Sequence, residues 1–181
     1  MAVEKVRERL LRSVAALERH GVRYAVIGGH AVAVWVARVD EDAVRNTVDV
    51  DILLSRGDLP LAARALAEAG FEQAEVHGVT LFMEAANPSP RRGIHVVFAG
   101  ERVRPHEAHP APDLSRVGRA EEDFDVLDLY PLVFMKLTAN RDKDRTHLRD
   151  MIEVGLITAE LEAGLPPDLR ARLDELRATP E

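Results

Sequence analysis

Asp49 and Asp51 stand two residues apart in the run Thr47-Val48-Asp49-Val50-Asp51-Ile52-Leu53-Leu54. Along an extended strand side chains alternate between faces, so residues two apart leave from the same side. Two carboxylates on one face suit a hard divalent cation, Mg2+ or Mn2+, whose remaining ligands are water and phosphate oxygens. The same spacing recurs at Asp40/Asp42, Asp123/Asp125 and Asp142/Asp144, so spacing alone selects nothing. Context does. Asp40/Asp42 falls in a polar stretch, and Asp142/Asp144 opens a helix, where acidic residues offset the dipole. Only Asp49/Asp51 is set in an apolar strand, where two like charges need a compensating cation or cationic side chain. The competing reading is an edge strand with a solvated face.

Gly28-Gly29 is the second feature with chemical potential. It follows a short apolar run and precedes an apolar segment beginning at His30. Glycines at a strand-to-helix turn let backbone N–H groups approach a phosphate, and the helix N-terminus adds partial positive charge. A tight turn also calls for glycine on conformational grounds alone. No Gly-Lys-Ser/Thr follows, so this is not a P-loop, and the third glycine of a dinucleotide fingerprint is missing. His30 is placed to donate to a phosphate.

The surrounding periodicities supply the elements. Val6, Leu10, Leu11, Val14 and Leu17 predict a first helix, ended at Gly21. Arg23–Ile27 predicts a strand and Ala31–Ala37 a buried helix. Residues 47–54 form the strongest strand pattern. Asp58 is placed to cap a helix that runs to Gly70, with Pro60 in its first turn. Strands over 71–76 and 79–85 meet at His77-Gly78 as a hairpin, and 93–99 predicts another strand. Residues 100–118, rich in proline, histidine and charge, predict a surface loop. A short strand at 124–129 precedes helices over 131–140, 143–155 and 167–178. The order predicts an α/β (α+β) fold, a mixed sheet flanked by helices, with a C-terminal helical part. The expected division is an α/β domain over 1–128 and a helical subdomain over 129–181.

The combination strand, Gly-Gly, helix, then Arg45-x-Thr47-x-Asp49-x-Asp51 resembles the nucleotidyltransferase superfamily with the polymerase-beta-like fold. It is most similar to the small abortive-infection (AbiEii-like) branch. Lys136-Leu137-Thr138-Ala139-Asn140-Arg141-Asp142-Lys143-Asp144, followed by Asp150, is similar to a helix pair of that branch. The resemblance implies a nucleotidyltransferase moving a nucleoside monophosphate from an NTP to a hydroxyl acceptor. It implies that Gly28 and Gly29 hold phosphates, Asp49 and Asp51 carry the metal, and Lys136 faces the triphosphate. Arg45 and Thr47 either position the two aspartates or pair with them structurally. Lys136 taken by itself also reads as a surface lysine lying along a helix. Lys143, His147 and Asp150 share a helix face, for which a salt-bridged surface is the simpler account.

One position departs from the pattern. The resemblance implies a third carboxylate on a later strand, which helps deprotonate the acceptor, yet the matching strand reads Ile94-His95-Val96-Val97. His95 either acts as general base or serves as a metal ligand that shifts preference from Mg2+ toward Mn2+. Two other outcomes stay open. Glu84 on the preceding strand supplies the charge, or the site is inactive and the protein is a nucleotide-binding or protein-interaction module.

Composition narrows the field. The chain has 181 residues, no cysteine, 24 Lys and Arg against 31 Asp and Glu, and a net charge of -7. Cysteine-ligated metals, disulfides and cysteine nucleophiles are excluded. An acidic surface repels phosphate backbones, which argues against nucleic acid other than a tRNA end. A charged N-terminus is unlike a signal peptide, and the longest markedly apolar run, 31–37, is far too short for a membrane span, so a cytoplasmic protein is expected. An aminoglycoside-like drug, a tRNA end and a protein hydroxyl all remain as acceptors. A toxin role with an antitoxin partner is also compatible.

Overall fold

A computed structural model describes residues 2–179; residues 1, 180 and 181, the extremes of the expected two-part division, lie outside the described residues. A seven-stranded sheet is built from β1 (Tyr24–Ile27), β2 (Val50–Leu54), β3 (Phe71–Val76), β4 (Val79–Glu84), β5 (Ile94–Phe98), β6 (Val117–Arg119) and β7 (Asp125–Leu127). The strands lie in the order β3-β4-β5-β2-β1-β7-β6. β2 runs parallel to β5 and antiparallel to β1, so the sheet is mixed. The helices are α1 (Ala2–Arg19), α2 (Gly28–Ala37), α3 (Leu59–Glu68), α4 (Leu129–Ala139), α5 (Asp142–Glu153), α6 (Ala159–Ala163) and α7 (Pro167–Ala178). α1 and α3 pack together over one face, while α2, α4 and α5 pack against one another. The buried apolar cluster is continuous from Val6 to Leu176 and includes Ile52, Leu53, Leu54, Leu132, Leu148 and Leu173.

β2 is central, not an edge. Val50, Ile52, Leu53 and Leu54 are fully buried between β5 and β1, which removes the solvated-edge reading of the aspartate strand. The strand is also shorter than its sequence pattern. Residues 47–49 lie outside it because both partners run out: β1 ends at Ile27, opposite Asp51, and β5 begins at Ile94, opposite Val50. An extended segment without a ladder partner is not a strand. Asp49 therefore enters the sheet from the preceding segment, while Asp51 belongs to it.

The expected hairpin forms at His77 and Gly78, with φ of 51° and 76°, the left-handed pair a two-residue turn requires. Two further elements depart from the sequence expectation. β6 lies at the end of the stretch expected to be loop, and is made by pairing with β7. α6 is a five-residue helix capped by Thr158, too short to give a periodic signal. Asp58 occupies the cap position of α3 but makes no side-chain cap bond; a single turn, Arg56–Asp58, leads into the helix instead.

Candidate nucleotide and metal site

The antiparallel register of β1 and β2 sets Ile27 directly across from Asp51. The chain then bends at Gly28, whose φ of 68° disfavours any L side chain. Space forbids one as well: a Cβ on Gly28 would run into Oδ2 of Asp51. Gly29 is needed for a different neighbour, since a Cβ there would lie 2.6 Å from Oγ1 of Thr47. The diglycine thus lets two side chains from the 47–51 segment close onto the start of α2. Ile27 provides no side-chain cap for that helix, and its first turn carries no acidic residue. The free N–H groups of a helix start and its positive dipole end favour an anion there.

Asp51 and His95 are register partners on the parallel strands β2 and β5. His95 Nδ1 lies 3.6 Å from Asp51 Oδ1, and His95 Nε2 lies 3.1 Å from the carbonyl oxygen of Pro90. Burial pushes the Asp51 carboxyl up, but His95, Lys143 and Lys136 outweigh it and hold it below the usual range. Its attraction to Asp51 pushes the His95 ring above an ordinary histidine, against the opposing effect of burial. Asp49 is reached from α5: Lys143 Nζ is 3.6 Å from its Oδ2. His30 and His95 each feel the charge of both aspartates, so the two carboxylates act on one region.

Glu84 is elsewhere. Leu81 is the register partner of His95, and three residues along an alternating strand put Glu84 on the opposite face. There it pairs with Arg12 and Arg9 of α1. It cannot supply a third carboxylate beside Asp51.

Lys136 is no surface lysine. It is buried on α4, with Nζ 3.0 Å from Asp144 Oδ1. Arg141 Nε donates to Asp144 Oδ2 at 2.6 Å, and the same carboxylate accepts from the Arg141 backbone N–H. Asp144, expected to do no more than offset a helix dipole, is a fully buried counter-ion for two cations. Burial depresses Lys136, against Asp144. Burial raises the Asp144 carboxyl, but Arg141 and Lys136 bring it below the usual range. Arg45 spans to α5, its Nε 2.9 Å from both oxygens of Asp150. This ties the segment before Asp49 to the helix.

The face shared by Lys143, His147 and Asp150 is therefore no self-contained salt-bridged surface: Lys143 reaches Asp49 and Asp150 reaches Arg45. His147 Nδ1 is buried without a hydrogen-bond partner, and burial, followed by Lys136, pulls the ring down to about 4. Lys143 and Asp144 were missed as site residues. The signal available was their alternation with Arg141 at the junction of two helices, which shows its meaning only once α5 is folded against α2. His30 lies on α2 and lines a groove of about 330 Å3 with Glu121, Glu122 and Phe124. Its Nε2 is buried and unpartnered, and burial lowers its pKa.

The donor set fits a particular kind of metal binding. Among the described residues no three His, Asp or Glu side chains form a closed cage. Two half-buried carboxylates beside an uncapped helix start suit an ion that brings phosphate oxygens with it, and Asp49 and Asp51 are the residues that would hold it.

This mixed sheet with its flanking helices has the nucleotidyltransferase fold. The solution structure of the antibiotic-resistance factor ANT(2'')-Ia is similar over 98% of this chain and 95% of that one, with a TM-score of 0.61 and 14% identity. A crystal structure of ANT(2'')-Ia in complex with adenylyl-2''-tobramycin is similar over 97% and 99%, with a TM-score of 0.58 and 12% identity. An antigenic nucleotidyltransferase-like protein from Paracoccidioides brasiliensis is similar over 98% and 89%, with a TM-score of 0.60 and 17% identity. No protein-family model and no curated protein sequence matches the chain. At these identities the likeness is one of fold. No described helix is long and apolar enough to cross a membrane.

Proposed function

We propose that the protein is a metal-dependent nucleotidyltransferase that moves a nucleoside monophosphate from an NTP to a hydroxyl acceptor. The observation that carries this reading is the close approach of Gly28 and Asp51: a carboxylate on a central strand lies against an uncapped helix start, where a side chain on Gly28 would collide with it. An anion-binding helix end and a cation-binding carboxylate are thereby adjacent, as a metal–triphosphate requires.

In this transfer the acceptor oxygen forms a bond to the α-phosphorus, the bond from that phosphorus to the bridging oxygen of pyrophosphate breaks, and the hydroxyl proton is released. A divalent ion at Asp49 and Asp51 would neutralise charge building on the phosphate oxygens. The backbone at Gly28 and Gly29 would receive phosphate oxygens. Lys136, kept from water and aimed by Asp144, would add positive charge on the triphosphate side. Lys143, on Asp49, would exchange that partner when the metal enters. The acceptor hydroxyl would meet the Asp51–His95 edge of the sheet. ANT(2'')-Ia captured with adenylyl-2''-tobramycin supports an acceptor hydroxyl.

The test is binding followed by turnover. Calorimetry with each NTP in Mg2+ or Mn2+ should show binding that Asp51→Ala abolishes, and radiolabelled NTP should pass to an acceptor mixture. NTP affinity with no transfer to sugar, RNA or protein hydroxyls would favour the inactive nucleotide-binding alternative, which the absence of a third carboxylate motivates. No NTP binding with either metal rejects both.

A further inference from the structure

Arg9 carries a buried charge on the side of the sheet away from the nucleotide site. Its side chain, on α1, is 5% exposed, and Nη2 lies 3.8 Å from Oε2 of Glu84. Arg12, three residues on, shares that helix face and pairs with the other oxygen of the same carboxylate. Strand register places the partners: Glu84 lies across from Phe71, and the Arg12 guanidinium stacks over the Phe71 ring at 4.6 Å from its centroid. Two guanidinium groups thus compete for one carboxylate. Nε and Nη1 of Arg9 and Nε of Arg12 are left buried, with no acceptor among the described residues. A buried donor without an acceptor costs its full desolvation penalty, and a buried charge short of partners costs more. Burial lowers the proton affinity of Arg9 and Glu84 opposes it, while Arg92, in the turn Pro90–Arg92 before β5, and Arg12 add to the lowering.

The charges here do not balance. Arg9, Arg12 and Arg92 face Glu84 alone, which leaves two positive charges in a chain whose net charge is -7. Glu8 lies 4.0 Å from Arg12 Nη1 but is largely exposed, where water screens it. We propose that Arg9, Arg12 and Arg92 form a phosphate-binding site under α1, on the sheet face opposite Asp51. A phosphate group past its second ionisation carries about two negative charges, and its oxygens accept from guanidinium forks. A single carboxylate would leave one positive charge uncompensated. When occupied, the site ties α1 to β4 and to the turn before β5. It shares no residue with the nucleotide site and stands whether or not the protein transfers nucleotides.

The experiment titrates sodium phosphate into the nucleotide-free protein at about pH 7.5, where the dianion dominates, with ionic strength held constant by NaCl. NMR follows the Nε–Hε signals of Arg9 and Arg12 beside the backbone amides of Gly28 and Gly29. Phosphate should shift both arginine signals to saturation. Glycerol phosphate is the second probe: shifts with both extend the site to phosphate esters, shifts with phosphate alone confine it to the free ion, and either result supports the site. Arg12→Gln should weaken binding about tenfold and Arg92→Ser about threefold, while Lys136→Met leaves the arginine shifts unchanged. The idea is overturned if phosphate moves only Gly28 and Gly29, if sodium acetate at equal concentration moves the arginine signals as far, or if Lys136→Met removes the effect. The phosphate and acetate arms use the unaltered protein, so a variant that fails to fold leaves the outcome decided.

Discussion

Gly28 is the residue on which the site geometry turns. Its left-handed backbone and the Asp51 oxygen beside it disfavour a side chain for separate reasons. Gly28→Ala should therefore cost about 1–3 kcal/mol in a denaturant titration, and should remove NTP binding even where the fold survives. Asp144 makes a second residue-scale case. It is buried with Lys136 at 3.0 Å and Arg141 at 2.6 Å. Asp144→Asn leaves Lys136 buried without its nearest counter-ion, so unfolding should become easier by about 3 kcal/mol. Lys136→Met leaves Asp144 its arginine. That variant should stay folded by circular dichroism and yet bind NTP at least tenfold more weakly by calorimetry, whereas unchanged affinity would remove Lys136 from the site.

Among the elements, α4 depends on α7. Arg172 of α7 donates from Nη1 to the carbonyl oxygens of Leu137 and Thr138, at 2.7 and 2.8 Å. These are C-terminal carbonyls of the helix that carries Lys136, and helix ends lack internal partners. Arg172→Ala should cost about 1–3 kcal/mol and raise amide hydrogen exchange over residues 136–140; unchanged exchange there would show that α7 does not support the end of α4. The strand periodicities, the His77-Gly78 hairpin and α7 were legible in the sequence because each is a local pattern. β6 was not, since three residues, Val117–Arg119, acquire strand structure only by pairing with β7. The position of Asp49 just outside β2 was likewise hidden. Its own sequence is strand-like, and what ends the strand is where β1 and β5 stop.

At the scale of the whole molecule, a pH dependence of stability is expected from His147 on α5. His147 is held down to about 4 by burial and by Lys136. An ordinary histidine titrates near 6.5, so the unfolded chain binds a proton there more readily than the folded one. The contribution is complete above pH 6.5 and is lost as pH falls toward 4. Because the ring is only partly buried, the loss is discounted to about 1–2 kcal/mol. Urea midpoints should fall between pH 7 and pH 5 by more in wild type than in His147→Gln, and equal falls would show that another group carries the effect.

The primary structure by itself determined the diglycine, the Asp49/Asp51 spacing, the histidine in the run Ile94-His95-Val96-Val97, and the α/β order, because these are properties of neighbours along the chain. Tertiary structure alone decided which charges meet. It set Asp51 against Gly28 through the β1–β2 register, sent Glu84 to the opposite face with Arg12, buried Lys136 with Asp144, and brought Lys143 to Asp49. Electrostatic partners separated by tens of residues are chosen by strand register and helix packing, and neither is written in the local periodicity of any one segment.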